Sequence, residues 1–324
     1  MESALITTPF SRSASASAAA DLPLAVGPAI STASNFMGVR MSGFVVNVIG
    51  LNVDPRLFRG LGDIRELSPG FAYDIAVDGP ETLAAARETA GDAPWDINLV
   101  AAENRRKKLL VADMDSTIIN VECLDELADM AGLKPQIAAI TERAMKGELV
   151  FEAALQERVG MLKGLHLSAL EKTYAERVRL NPGAKNLIAT MRAHGAHTVL
   201  VSGGFGFFTS RVAALAGFHE HFGNSLIDDG VALTGEVGMP ILGREAKALT
   251  MERTVAKLGI GHADVLAVGD GANDLGMIRL AGMGVAYHAK PVVAEAAGVA
   301  INHNTLEALL YLQGYGDAEI VRED

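Results

Sequence analysis

The 324-residue chain has one cysteine, one tryptophan and a low content of aromatic side chains, which make up 5% of its residues. Because Cys123 has no partner, an intrachain disulfide is excluded, which favours a reducing compartment such as the cytoplasm. Long apolar runs are absent too. The best candidate, GFVVNVIGL from Gly43, falls far short of the roughly 18 residues that a membrane helix needs.

Positive charge is also scarce. The chain has 28 Lys and Arg residues against 39 Asp and Glu residues, a formal net charge of −11. A nucleic-acid partner is disfavoured, because phosphate backbones select strongly basic surfaces. With 49% apolar residues, the composition indicates a cytoplasmic globular enzyme or a small-molecule-binding protein with no membrane segment.

Composition and apolar patterning divide the chain into four parts. Residues 1–40 are rich in Ser and Ala and predict a flexible arm, with a targeting presequence as the alternative. Residues 41–104 predict a small α/β domain. Residues 105–122 and 181–324 alternate between strand and helix patterns, whereas residues 123–180 show helical patterns alone.

Short apolar strands recur along the last two-thirds of the chain and are not interrupted by polar residues. This pattern predicts an α/β fold with a doubly wound, Rossmann-like parallel sheet that is covered on both faces. The helical stretch at 123–180 would be an inserted cap, placed near the edge of the sheet where ligands bind. The predicted strands are Leu109–Ala112, Thr198–Val201, Val265–Val268, Gly284–Ala286 and Val299–Asn302.

Polar side chains follow several of these strands, and parallel strands bring their carboxyl ends to one edge of the sheet. Each group alone is ordinary turn material, but together they would form one site. The group consists of Asp113 and Asp115 after the first strand, Ser202 and Gly203 after the second, Asp270, Asn273 and Asp274 after the third, and Lys247 in a nearby helix.

Several carboxylates in one site need a cation to offset their repulsion. All-oxygen ligands favour a hard ion, Mg²⁺ before Ca²⁺. A Mg²⁺ site with a lysine and Ser/Gly amides suits a phosphoryl group. One aspartate could then attack phosphorus, and the other could transfer protons.

The motifs DMDST at Asp113, VLVSGG at 199–204, Lys247 and GDGAND at 269–274 resemble those of the haloacid dehalogenase-like phosphatases, in the same order. The resemblance extends from about Arg105 to about Tyr315. Further segments most resemble the phosphoserine-hydrolysing members: ECLDELA, RAMKGELVFEAALQERVGMLKG, PILGREAK and GVAYHAKP. The resemblance therefore implies O-phospho-L-serine as the small-molecule substrate, and a homodimer is one candidate assembly. It also implies an ACT-like regulatory module as one candidate for residues 41–104.

The resemblance also implies a role for each candidate residue. Asp113 would be the nucleophile and Asp115 the general acid and base. Mg²⁺ would be held by Asp113, the Asp115 carbonyl and Asp270, with Asp274 nearby. The substrate-binding residues would be Ser202, Gly203 and Lys247 on the phosphoryl group, Asn273 beside it, Glu122 and Arg158 on the charged groups of the amino acid, and Met145 and Phe151 as lining.

Helical spacing supports Arg158 independently of the resemblance. Arg158 shares a stripe with Phe151, Leu155 and Leu162, and a charge on an apolar stripe usually has a partner. The alternative is an arginine that extends from the edge of the stripe to water.

Two other functions remain open on the residues alone. One is a phosphatase or phosphotransferase that acts on a different small phosphorylated metabolite, and a substrate panel separates it from the first prediction. The other is an amino-acid-sensing protein whose catalytic unit serves regulation or has lost activity, which calorimetry of residues 1–103 alone with serine would address.

Overall fold

The computed structural model describes residues 43–145 and 148–323. The predicted flexible arm, residues 1–40, lies outside the described residues. Within the described ranges, no helix combines the length and the apolar character that crossing a bilayer requires.

Residues 44–101 form a four-stranded antiparallel sheet with one α-helix packed on one of its two faces. Its elements are β1 (Phe44–Ile49), β2 (Asp63–Ser68), β3 (Ala72–Val77), α1 (Thr82–Ala90) and β4 (Asp96–Ala101). The strand order β2-β3-β1-β4 is that of a ferredoxin-like split βαβ unit, with a short 3₁₀ turn in place of the first helix. Along β1, Val46 and Val48 pack in the cluster that contains Ala86 of α1. Because side chains alternate across a strand, Val45 and Ile49 join the main core instead. The ACT-like assignment stays a prediction.

The remaining elements build the larger part of the molecule. In chain order they are β5 (Leu109–Ala112), α2 (Cys123–Met130), α3 (Lys134–Met145), α4 (Phe151–Met161), α5 (Ser168–Arg177), α6 (Ala184–Ala193), β6 (His197–Phe205), α7 (Gly206–Ala216), β7 (Glu220–Asn224), β8 (Leu226–Asp228), β9 (Leu233–Val237), α8 (Ala246–Leu258), β10 (Val265–Gly269), α9 (Leu275–Leu280), β11 (Met283–Tyr287), α10 (Pro291–Ala297), β12 (Val299–Ile301) and α11 (Ala308–Leu312).

Six of these strands form one parallel sheet in the order β12-β11-β10-β5-β6-β7. The central strand β5 is fully buried. Leu109 and Val111 pack into one apolar cluster, while Leu110 and Ala112 pack into a second cluster on the opposite face. Burial on both faces explains why this strand has no polar alternation. The predicted doubly wound α/β class, with an inserted helical cap and an N-terminal α/β extension, is confirmed.

The cap helices α2–α5 leave and rejoin the sheet side by side. Ile119 and Leu180 form an antiparallel bridge at this crossing. The Asn120 backbone N–H donates to the Arg179 carbonyl at 3.1 Å. The Asn181 amide donates to the Thr117 and Ile119 carbonyls at 2.7 and 3.1 Å. The segment that leads from β5 into the cap is therefore bonded directly to the segment that leads from the cap to α6.

Buried polar contacts fix the N-terminal sheet on the larger sheet. The Arg105 guanidinium binds Asp74 through two hydrogen bonds, 2.6 and 2.9 Å long, and both side chains are buried. At the edge of β4, the Asn98 amide donates to the Ala300 carbonyl at 2.9 Å and accepts the Ala300 N–H at 3.0 Å. Asn98 thus satisfies both backbone groups of Ala300 in the edge strand β12.

Candidate active site

The candidate site lies at the carboxyl edge of the parallel sheet. Ala112 at the end of β5 pairs with Val268 of β10 on one side and with Leu200 of β6 on the other. The residues that follow these three strands are therefore neighbours, as expected for a doubly wound sheet. This register brings Asp113 beside the segments that carry Asp270 and Ser202.

Asp113 is buried and held by its own loop. Its backbone N–H donates to the Val268 carbonyl at 3.0 Å. Its Oδ1 accepts the Met114 N–H and the Lys247 ammonium, both at 2.7 Å. Burial, followed by the charge of Asp274, raises the pKa of Asp113 well above its ordinary value. A fully ionised Asp113 therefore needs more positive charge than Lys247 alone provides.

Three carboxylates converge here, since oxygens of Asp113, Asp270 and Asp274 lie within 4.8 Å of one another. Burial and then the Asp274 charge raise the pKa of Asp270 as well. A cluster of oxygen donors that resists ionisation fits a hard divalent cation, whose charge would stabilise the carboxylates. The residues present thus fit a divalent metal ion.

Lys247 joins two members of this cluster. Its Nζ lies 2.7 Å from Asp113 Oδ1 and 2.6 Å from Asp274 Oδ1, and all three side chains are buried. Burial alone would lower the pKa of Lys247, but attraction by Asp113 and Asp274 outweighs it and raises that pKa. Asp274 also accepts the Gly271 N–H through Oδ2 at 3.0 Å, so both of its oxygens are engaged.

Asp115 occupies a different environment from Asp113. It is half-buried, with Oδ1 accepting the Cys123 N–H at 3.0 Å and Oδ2 accepting the Ser202 hydroxyl at 2.9 Å. Neither Lys247 nor another cation is among its described bonding partners. The two aspartates of the motif therefore have separate partners, which would suit two separate chemical roles.

The turn between β5 and the cap depends on one left-handed residue. Ser116 has φ = 55°, a conformation that non-glycine residues adopt mainly where the surroundings enforce it. Its hydroxyl donates to Glu122 Oε1 at 2.7 Å. The next residue, Thr117, donates to Asp270 Oδ1 at 3.1 Å. The loop thus links the strand end both to the cap and to the carboxylate cluster.

Ser202 and Gly203 form the other side of the site. The Ser202 hydroxyl accepts the Gly204 N–H at 2.8 Å while it donates to Asp115. Phe151 of α4 lies directly over Gly203, because a Cβ added to Gly203 would be 3.0 Å from its ring. The cap is therefore in contact with the predicted phosphoryl-binding loop.

Two charged side chains lie on the cap side of the site, Glu122 directly ahead of α2 and Arg158 in α4. Burial, followed by the charge of Asp115, raises the pKa of Glu122 to about 7. Burial lowers the pKa of Arg158, while Asp125 and Glu122 oppose that shift. The only hydrogen bond described for Arg158 runs from Nε to the Ala154 carbonyl, at 3.2 Å. Arg158 thus has donor capacity left for a ligand, and it lies within electrostatic range of Glu122.

For two of the predicted site residues, Asn273 and Met145, no described contact joins the side chain to the other candidate residues. Asn273 follows β10, and its Oδ1 occupies the space beside Gly271 where a Cβ would otherwise lie. Met145 ends α3, and its side chain lies outside the described residues. The structure thus brings together ten of the twelve predicted residues by described contacts or proximity, namely Asp113, Asp115, Glu122, Phe151, Arg158, Ser202, Gly203, Lys247, Asp270 and Asp274.

Sequence reasoning gave no role to three residues that the site uses. Ser116 and Thr117 were visible in the DMDST motif, whose last two letters they are. Asn224 ends the edge strand β7 with no motif around it. The structure shows it bonded to Gly203, a contact that local pattern could not predict.

The chain can now be compared with known proteins. The model of the haloacid dehalogenase-like hydrolases matches residues 110–279, just over half of the chain. The chain therefore belongs to the haloacid dehalogenase-like hydrolases, which confirms the predicted family. The curated relatives given next confirm the predicted phosphatase class.

The proteins similar to this chain include two curated relatives and one solved structure. A phosphoserine phosphatase from Polaromonas sp. is 46% identical over 210 residues, which are 63% of this chain and 89% of the relative. A phosphoserine phosphatase from Streptomyces coelicolor is 42% identical over 281 residues, which are 85% of this chain and 67% of the relative. A HAD-family hydrolase from Salmonella enterica superposes with a TM-score of 0.74 at 33% identity, covering 83% of this chain and 97% of that one.

Proposed function

We propose that the enzyme hydrolyses O-phospho-L-serine to L-serine and phosphate, with Mg²⁺ as cofactor, and that this is the closing step of serine biosynthesis. The observation that carries the proposal is the meeting of two charge sets at one sheet edge. The cluster of Asp113 and Lys247 suits a phosphoryl group, while Glu122 and Arg158 on the cap side suit an ammonium and a carboxylate. Phosphoserine carries a phosphoryl group, an ammonium and a carboxylate, and both curated relatives described above are named phosphoserine phosphatases.

In this proposal Asp113 is the nucleophile. The described hydrogen bond and ion pair of its side chain both involve Oδ1, so Oδ2 is available to attack phosphorus. Attack forms an aspartyl-phosphate as the bond from phosphorus to the serine oxygen breaks. Lys247, held on Asp113 and Asp274, offsets the charge of the phosphoryl oxygens, and the loop at Ser202 and Gly203 binds those oxygens.

Asp115 transfers the protons. As an acid it protonates the departing serine oxygen, and as a carboxylate it then takes a proton from the water that hydrolyses the aspartyl-phosphate. Hydrolysis releases phosphate and restores Asp113. The Cys123 N–H and the Ser202 hydroxyl hold the two oxygens of Asp115 in place for these transfers.

Mg²⁺ would be held by Asp113, the backbone carbonyl of Asp115 and Asp270. Asp274, with both oxygens already bonded to Lys247 and Gly271, would support the ion from nearby. The bound ion would supply positive charge against the carboxylates and the phosphoryl group. Thr117 orients Asp270 through its hydroxyl.

Substrate recognition falls to the cap. Glu122 would bind the ammonium of the substrate, and Arg158 would bind its carboxylate, each through charge-assisted hydrogen bonds. Phe151 would line the short side chain between them, together with Met145. Asn273 would contribute beside the phosphate.

A substrate panel with a matched arginine control tests the proposal. Initial rates are measured with phosphoserine, phosphoglycolate and an aryl phosphate for wild type, Arg158→Ala and Arg143→Ala. Arg143 lies on cap helix α3, and its exposed side chain pairs with Glu157, so its loss should change little. Arg158→Ala should raise KM for phosphoserine at least tenfold and leave KM for the aryl phosphate unchanged.

Two outcomes would contradict the proposal. If wild type prefers another phosphate ester by a large factor, the substrate is a different metabolite, or the enzyme transfers phosphate elsewhere. If Arg158→Ala affects both substrates equally, the arginine does not bind the substrate carboxylate. The cytoplasmic location and the homodimer also stay predictions, which cell fractionation and light scattering can check.

A further inference from the structure

Asn224 is a buried asparagine at the end of the edge strand β7, with 2% of its surface exposed. Its amide donates to the Gly203 carbonyl at 2.8 Å and to the Leu242 carbonyl at 3.2 Å. Its Oδ1 accepts the Leu242 N–H at 2.7 Å. One side chain therefore joins two loops that are distant in sequence.

The backbone geometry explains why a side chain is needed here. β6 and β7 pair regularly up to Val201, and the register then shifts until Phe205 pairs with Asn224. The residues between, Ser202 to Gly204, leave the regular ladder, as in a β-bulge. Buried backbone groups that lose their strand partner must find another one. Asn224 supplies it for the Gly203 carbonyl.

The contact continues to Asp115 through three hydrogen bonds. Asn224 holds the carbonyl of the Gly203–Gly204 peptide group, and the N–H of the same group donates to Ser202 Oγ at 2.8 Å. The Ser202 hydroxyl in turn donates to Asp115 Oδ2 at 2.9 Å. Because a peptide group is planar and rigid, fixing its carbonyl fixes its N–H, and thereby the hydroxyl that faces Asp115.

The second loop leads to Lys247 and to the cap. Leu242 is bonded to Asn224 through both its backbone groups, and α8 begins four residues later at Ala246. Gly243 lies against the cap, since a Cβ there would be 3.6 Å from the Phe151 ring. Asn224 thus sets the spacing between the loop of Ser202 and the loop that precedes Lys247.

We propose that Asn224 is a positioning residue of the phosphoryl site, which fixes Ser202, and through it Asp115, relative to Lys247. The inference rests on the proposed function only for the roles of these three side chains. It predicts that loss of the Asn224 amide slows turnover of every phosphate ester equally, because the described hydrogen bonds of this side chain go to Gly203 and Leu242 and not to Glu122 or Arg158.

The test compares Asn224→Ala with Asn98→Ala. Asn98 is equally buried, with 1% exposure, and it also forms a reciprocal pair of hydrogen bonds with one backbone residue, Ala300. It lies in the N-terminal sheet, away from the site. Melting temperature, kcat and KM are measured for both variants with phosphoserine and with an aryl phosphate, well below both melting temperatures.

The inference expects kcat of Asn224→Ala to fall at least tenfold below that of Asn98→Ala, by the same factor on both substrates. A difference smaller than tenfold, or a loss on phosphoserine alone, overturns it. If Asn224→Ala does not fold, Asn224→Ser takes its place under the same criterion, because one hydroxyl proton cannot bond both loops. If the wild-type enzyme does not hydrolyse phosphoserine, the proposed function is contradicted but the inference is not. The kcat values with the aryl phosphate then still test the role of Asn224.

Discussion

Replacing Gly204 by alanine probes the geometry of the site most sharply. A Cβ at this position would lie 2.9 Å from Asp115 Oδ2 and 3.0 Å from Ser202 Oγ, whereas ordinary contact begins at 3.4 Å. The methyl group would therefore have to push both side chains by about half an ångström. The 2.9 Å hydrogen bond between Ser202 and Asp115 lies between these two atoms and would be lost or distorted.

The size of the effect follows from that hydrogen bond. A hydrogen bond to a charged group contributes about 1.5–3 kcal/mol. If the whole of it is lost where Asp115 acts, the rate should fall about 10- to 150-fold, at about 1.4 kcal/mol per factor of ten. The loss should be in kcat on every phosphate ester, because no contact with the amino-acid part of the substrate changes.

Gly206→Ala is the matched control for this prediction. The nearest atom to its added Cβ is the Asn224 carbonyl oxygen at 3.6 Å, and Gly206 is the first residue of α7. Alanine there should leave kcat unchanged and stabilise the fold by at most about 1 kcal/mol. Steady-state kinetics and thermal melts are measured for both variants. A Gly204→Ala enzyme with wild-type kcat would refute the assigned contact between Ser202 and Asp115.

Three further perturbations follow from the same structure. Because the pKa of Glu122 is raised to about 7, Glu122 gains a proton and loses its negative charge as pH falls through 7. KM for phosphoserine should then rise more than KM for phosphoglycolate, which has no ammonium. Glu122→Gln should remove this difference in pH dependence between the two substrates. Asp113→Asn should abolish turnover and keep the circular-dichroism spectrum; turnover near wild type would mean that another residue attacks phosphorus. Arg105→Ala should lower the free energy of unfolding by about 3–5 kcal/mol in urea titrations, because it leaves buried Asp74 unpaired; a loss below about 1 kcal/mol would contradict the inferred ion pair.

The parallel sheet could be predicted from the sequence because its central strands are buried on both faces and therefore uniformly apolar. The predicted strand Leu109–Ala112 matches β5 in both bounds. Two edge strands, β2 and β7, were missed for the opposite reason. β2 reads DIRELS and β7 reads EHFGN, and such polar segments carry little strand signal when one edge and one face are open to solvent.

The candidate site, too, could be predicted from the sequence only in part. The aspartates and Ser202 follow apolar strands, so their meeting at one edge follows from the parallel arrangement itself. The contacts of Asn224 could not be predicted, because they depend on the register shift between β6 and β7. The left-handed Ser116, which turns the chain between Asp115 and the cap, is likewise a property of the folded loop.

The central claim is that one carboxylate of the cluster is transiently esterified by the substrate. It can be tested directly by quenching the enzyme in acid during turnover of ³²P-labelled phosphoserine, reducing the acyl phosphate with borohydride and mapping the modified residue by mass spectrometry. We expect stoichiometric label in wild type and conversion at position 113 alone, with neither in Asp113→Asn. Full turnover with no acid-stable label, or reduction at Asp115 or Asp270 instead, would contradict it.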